Sequence, residues 1–305
     1  MRFATILFAA FVAATPAASA QNAWPGSYPE GPVWIGETLY WAEMYDNRVM
    51  AWSGGEPEPF FQQAECGPTA IARYREDELI VLCHLGAALA HLDRDGKLIH
   101  MIRATPDGGR LTNPNDATSD GDGGVWFTDP GVFSSTAPAT GEVFHLAPDG
   151  ELTRHADSLH YGNGVHTDLA NRQLLVSEHL ARRVLAYPLE PEGLGQPKVI
   201  IDLDDLGLDR VRYAEAGPDG LEIGPDGTLW VAEYGAGRLL GWRAGKGLVA
   251  ALQVDAQFVT NIAFGPNGLA AMTGAKDNRY APFPGATWVF PAQGLTDAVL
   301  KGEDK

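Results

Sequence analysis

The sequence predicts an all-β fold, a six-bladed β-propeller with four-stranded antiparallel blades, formed as one domain by residues 21–305. Two repeating signals predict it. A short apolar strand entered from a turn recurs six times, and upstream of each stands a second marker, at positions 30, 69, 115, 163, 219 and 261. Their spacing is close to the roughly 40 to 50 residues a propeller blade occupies. A third observation excludes the main competitor. A parallel α/β sheet needs a long helix between strands, and no helical pattern of useful length separates these.

The blades follow in order. Blade one opens at Glu30-Gly31-Pro32 and continues through apolar strands at 39–43 and 48–52. Blade two opens at Pro68-Thr69-Ala70, with its strand at 79–83. Blade three opens at Asn115-Asp116-Ala117, with strands at 125–129 and 142–146. Blade four opens at Asn163-Gly164-Val165, with strands at 174–178 and 183–187. Blade five opens at Asp219-Gly220-Leu221, with a strand at 229–233. Blade six opens at Asn261-Ile262-Ala263 and has the weakest strand, 269–273. Asp95-Gly96, Asp149-Gly150, Asp226-Gly227 and Asn267-Gly268 supply hairpin turns. The segment just after residue 20, or the last strand near Trp288-Val289-Phe290, completes a blade and removes a free sheet edge.

Residues 1–20 read as a secretory signal peptide. Arg2 precedes an apolar run, 3–14, that ends in the small-residue cleavage site Ala18-Ser19-Ala20. The run is too short for a membrane anchor, and no later stretch is long and apolar enough to span a bilayer. The expected location is therefore extracytoplasmic, in a bacterial periplasm. Export permits a disulfide between Cys66 and Cys83, although two buried thiols fit the sequence equally well. A zinc site is not expected, because there is no second cysteine pair and His84 faces away from Cys83 on its strand.

The formal net charge of -17 argues against nucleic acid and anionic lipid as partners. Serine-nucleophile and nucleotide-binding motifs are missing from the sequence as well. The expected partner is a small neutral or cationic molecule, bound by a monomer or a small homo-oligomer.

The innermost strands of a propeller run along its central channel, so equivalent residues of the six blades face one axis. Those residues are expected to be Glu30, Thr69, Asn115, Asn163, Asp219 and Asn261, all oxygen donors without a lysine or arginine among them. Such a ring suits Ca2+ best and could also hold Zn2+, Mn2+ or Mg2+. His84, His145, His160, His166 and His179 fall near strand ends, where an ordinary structural role is expected.

In its motifs the sequence resembles the lactonases related to gluconolactonase and the senescence marker or regucalcin proteins. The motifs run from 28 to 273: Tyr28-Pro-Glu-Gly-Pro-Val-Trp34, Asn113-Pro-Asn-Asp116, Trp126-Phe-Thr-Asp-Pro130, Gly162-Asn-Gly-Val165 and Pro218-Asp-Gly-Leu221. The pattern is closer to gluconolactonase than to regucalcin. The resemblance implies one divalent metal ion held by Glu30, Asn163 and Asp219, with Asn115 touching the ion or substrate hydroxyls. Asn113 and Asp116 are implied as substrate-contact and supporting positions, and Arg110 suits a hydroxylated substrate. The implied activity is hydrolysis of a sugar (aldono-)lactone such as gluconolactone. The ion would polarise the carbonyl, and Asp219 or an activated water would promote attack. Phe133, Tyr161, Arg210, Tyr213 and Tyr280 lie in loops that would narrow specificity. The alternatives are a binding propeller with a structural calcium ion, or a lactonase or esterase for a non-sugar substrate.

Overall fold

A computed structural model describes residues 22–303, so the leader segment 1–20 lies outside the described residues. Six antiparallel sheets are arranged as the blades of a propeller. Their innermost strands are Pro29–Ile35, Pro68–Tyr74, Ala117–Ser119, Gly162–Asp168, Gly217–Ile223 and Phe258–Phe264. Five sheets have four strands, and blade four adds the two-residue strand Gly193–Leu194. Blade six is closed by both termini, because Asn22–Ser27 pairs antiparallel with Pro284–Pro291 as its outermost strand.

The apolar core is divided among the six interfaces between blades. Ile80 and Leu82 of blade two pack with Val125 and Phe127 of blade three, while Val81 and Cys83 face blade one beside Val49 and Phe61. The second strand is thus buried on both faces, and for that reason it reads in sequence as an unbroken apolar run. Each fully buried Leu, Ile or Phe here contributes about 1.5–3 kcal/mol.

A residue at the end of the second strand makes a local tie in five of the six blades. In blades one, four and five it is a buried glutamate paired with an arginine across the hairpin: Glu43 with Arg48, Glu178 with Arg183 and Glu233 with Arg238. In blade two the position is Cys83, which forms a disulfide with Cys66. In blade three Asp129 accepts the backbone N–H groups of Thr112 and Asn113, at 2.7 and 2.8 Å.

The sequence shows no useful helical pattern, yet a C-terminal helix, Gln293–Glu303, follows the last strand. Leu295 and Val299, one helical turn apart, are buried in the interface between blades five and six. Packing on an existing core stabilises a helix whose own periodicity is weak.

Candidate active site

Strand register decides which side chains reach the axis. In blade one Pro29 lies opposite Glu43, and a bulge follows Glu30. Blades two, four and five repeat this pattern, pairing Pro68 with Cys83, Gly162 with Glu178 and Pro218 with Glu233. Thr69, Asn163 and Asp219 are therefore equivalent to Glu30. Asn115 takes the same place in blade three, where its N–H donates to the Thr128 carbonyl. These five residues line one cavity of about 190 Å³ at one end of the channel.

The sixth assignment needs correction. In blade six Val259 lies opposite Gly274, so the residue equivalent to Glu30 is Thr260, with Asn261 one step further along the strand. Thr260 is fully buried and donates to the Pro29 carbonyl at 2.9 Å. This marker lacks the proline or glycine that fixes the bulge elsewhere, so the repeat alone left the register open to a one-residue slip.

Asn261 belongs to the next layer, formed by Gly31, Ala70, Asp116, Gly164 and Gly220. Asp116 and Asn261 come from opposite blades and meet across the axis, the amide nitrogen donating to Asp116 Oδ2 at 3.4 Å. Asp116 also accepts from Val165 N at 3.0 Å and Ala117 N at 2.9 Å. The glycines make room for this crossing, since a β-carbon on Gly220 would stand 1.9 Å from the Asn261 side chain. Asp116 and Asn261 face a second cavity, of about 290 Å³, beyond the first. Asp116, expected as a substrate-contact or supporting position, is thus absent from the residues that line the first cavity, and its burial raises its pKa to about 6.

Arg110 is solvent-exposed and its backbone pairs with Ala104, away from the residues that line the pocket. Asn113 is also not among the lining residues. It donates to the Gly131 carbonyl at 2.6 Å and accepts from Gly131 N at 3.0 Å, which holds the loop carrying Phe133.

Glu30 and Asp219 are buried, and among the described residues no ion pair reaches either. Burial raises the pKa of Glu30, and the charges of Asp219 and Asp116 raise it further. Asp219 is raised by burial and then by Asp116. Without a cation, these carboxyls hold protons well above the usual carboxylate range.

Asn163 is oriented by its neighbour. His179 Nε2 lies 2.8 Å from the Glu215 carbonyl and must carry the proton there. Burial lowers this imidazole to about 4, so the ring is neutral and Nδ1 is a bare acceptor. Asn163 Nδ2 donates to it at 3.4 Å, leaving Asn163 Oδ1 buried without a protein partner.

No group of three or more His, Cys, Asp or Glu side chains with metal-binding placement occurs among the described residues. The donor set is instead two carboxylates and two carboxamides. It fits a hard divalent cation, because an orphaned carbonyl oxygen and two uncompensated carboxyls share one pocket.

Two further sets of residues line the pocket; of these, Tyr161 was expected in a specificity loop and His84 and His179 near strand ends, whereas Tyr28, Met44 and Tyr234 were not singled out from sequence as pocket wall. Met44, His84, His179 and Tyr234 each directly follow the second strand's terminal tie in blades one, two, four and five. Tyr28 and Tyr161 each lie two residues before the channel residue, with φ of 54° and 62°; the same place in blade two is Gly67, at 51°. Both rules are visible once the blades are aligned by register. Of the loop residues expected to shape specificity, Phe133 and Tyr161 line the pocket. Tyr213 supports Tyr234 from behind, Arg210 pairs with Asp204, and Tyr280 is exposed.

Residues 28–273 match the model of the SMP-30/Gluconolactonase/LRE-like region. The gluconolactonase of Zymomonas mobilis is 25% identical, with 82% of this chain and 77% of that protein covered. Among solved structures, a gluconolactonase from Xanthomonas campestris superimposes with a TM-score of 0.70 at 23% identity, covering 90% of this chain and 91% of the other. A calcium-binding protein, regucalcin, from Agrobacterium tumefaciens superimposes with a TM-score of 0.69 at 17% identity, covering 88% and 94%. These two likenesses show the shared propeller.

Proposed function

The chain belongs to the SMP-30/gluconolactonase/LRE-like family, and from that premise we propose that it is a lactonase whose pocket holds one divalent cation between Glu30, Asn163 and Asp219, with Asn115 beside them. The observation that carries this reading is the buried, unpartnered Asn163 Oδ1, held in place by His179 and sharing a pocket with two uncompensated carboxyls. Oxygen-only donors favour Ca2+, with Zn2+, Mn2+ and Mg2+ as alternatives. A similar propeller, the Agrobacterium regucalcin, is described as calcium-binding.

A cation bound there supplies Lewis-acid polarisation of a lactone carbonyl. Asp219 is the candidate base. It accepts a proton from the attacking water, whose oxygen adds to the acyl carbon. The ring C–O bond then breaks, the departing ring oxygen takes up a proton, and the product is a hydroxy acid that ionises in solvent. A nearby positive charge opposes the burial and the Asp116 repulsion that hold the Asp219 pKa high. Glu30 contributes charge neutralisation. The sugar-lactone subtype receives no support from Arg110 or Asn113, which are placed elsewhere. We also propose that the protein works in a periplasm, a reading supported by the leader-like segment and by the Cys66–Cys83 disulfide.

The test is a lactone hydrolysis panel on metal-stripped protein reloaded with Ca2+, Zn2+, Mn2+ or Mg2+, with spontaneous hydrolysis subtracted. Turnover restored by an ion supports the proposal. Tight ion binding with no turnover of any lactone would indicate a binding propeller with a structural ion.

A further inference from the structure

The wall above the oxygen ring is aromatic. Tyr28, Tyr45, Phe133, Tyr161 and Tyr234 line the pocket together with Met44, and no lysine or arginine joins them. Two of the four phenols are already engaged. The Tyr28 and Tyr234 hydroxyls lie 2.6 Å apart, and Asn278 donates to Tyr234 at 2.8 Å. The side chains therefore offer ring faces and edges more than free hydroxyls.

The rings brace one another around the opening. Phe133 meets Tyr161 edge-on at 4.8 Å and Tyr234 at 6.1 Å, while Tyr45 stacks on Phe283 at 4.0 Å and meets Tyr28 at 5.8 Å. Phe133 and Tyr45 nonetheless remain 37% and 40% exposed, leaving apolar surface at the mouth that the protein itself does not cover. Tyr28 and Tyr161 adopt a left-handed backbone that glycine takes at Gly67 in blade two. A bulky residue is retained at a place where a β-carbon is disfavoured, and in both blades its ring forms pocket wall.

A polyhydroxylated lactone would lose hydration at each hydroxyl on entering such a pocket and needs replacement hydrogen bonds. Of the residues that suited that task, Asn115 lines the pocket beside the proposed cation site, whereas Arg110 and Asn113 do not line it. We propose that the substrate is a neutral lactone carrying a planar apolar group, such as an aryl substituent, that stacks between Phe133, Tyr45 and the tyrosines. This rests on the lactonase reading and names the chemical class of substrate.

Two readouts separate this inference from that reading. The first is binding of non-hydrolysable lactams to the calcium-loaded protein by calorimetry, comparing 6-phenylpiperidin-2-one with piperidin-2-one. The aryl lactam should bind at least about 10-fold more tightly, and Phe133→Ala should remove most of that advantage. Equal affinities would overturn the inference whether or not any lactone is turned over. Phe133 is part exposed, so its truncation does not empty the core; Tyr45→Leu provides a second variant. The second readout is kcat/KM for 6-phenyl-δ-valerolactone against gluconolactone. A higher value for gluconolactone would overturn the inference while leaving the lactonase reading intact. Preferred aryl-lactam binding without any lactone hydrolysis would support the pocket's selectivity and defeat the lactonase reading.

Discussion

Asn163 donates its amide N–H to Nδ1 of His179 across 3.4 Å, and this contact leaves the Asn163 carbonyl oxygen buried and free of protein partners. His179 can accept because its other nitrogen is committed to the Glu215 carbonyl. A backbone carbonyl in the segment before blade five thus orients a candidate metal ligand in blade four.

Replacing His179 by phenylalanine keeps an aromatic ring and removes the acceptor. The Asn163 amide then loses its preferred orientation, and Ca2+ affinity should weaken about 10- to 100-fold, as when a metal ligand loses its supporting partner. Calorimetric titration of the folded variant measures this. Unchanged affinity would mean that His179 does not position Asn163.

Asp219→Asn retains an oxygen donor of similar size and removes the candidate base. Assayed at saturating metal, its turnover should remain about 10²- to 10⁴-fold below that of the unmodified protein. Recovery to the original rate at high metal would reduce Asp219 to a ligand. Glu30→Gln should instead weaken metal binding, with much of the rate restored by excess ion.

The pH dependence follows from the raised carboxyls. Because the folded pKa values of Glu30 and Asp219 lie above their unfolded values, their contribution to stability is present below about pH 4 and is lost as pH rises through the folded pKa. His84, His166 and His179, lowered by burial to about 4, act in the opposite sense: their contribution is present above about pH 6.5 and lost as pH falls toward 4. A bound cation offsets the carboxylate loss, because metal binding displaces the protons held at the site. The rise in melting temperature on adding Ca2+ to chelator-treated protein should therefore increase from pH 5 to pH 8. A constant or shrinking rise, followed by differential scanning fluorimetry, would contradict a cation between these carboxyls.

The disulfide joins Cys66 to Cys83 across 17 residues, at the blade position where three other blades use a buried glutamate–arginine pair. Replacing both cysteines by serine should cost about 2–4 kcal/mol in denaturant unfolding. The pocket should survive in the folded fraction, so specific activity per folded molecule should change little. A large activity loss without a stability change would place the pair closer to the chemistry than the structure does.

Much of this protein was legible in sequence because a propeller repeats. Six apolar runs and their markers give the blade count, and equivalence between blades brings Glu30, Asn115, Asn163 and Asp219 to one axis although 189 positions separate the first from the last. The phase of each repeat was less secure. Side chains alternate across a strand, so a shift of one residue exchanges a pocket ligand for a neighbour in the next layer. The repeat therefore points to Asn261 where Thr260 stands, and Asp116, adjacent to Asn115, faces the far cavity. Only the tertiary structure could decide these phases, because cross-strand pairing and bulges fix them. It also decided which loop side chains turn inward: Phe133 and Tyr161 reach the pocket, Asn113 is consumed by Gly131, and Arg110 stays in solvent. Repetition along one strand of the blades specifies the ring of oxygens, whereas the aromatic wall above it comes from strand ends and loops of unequal length, whose meeting depends on how the blades close around the axis.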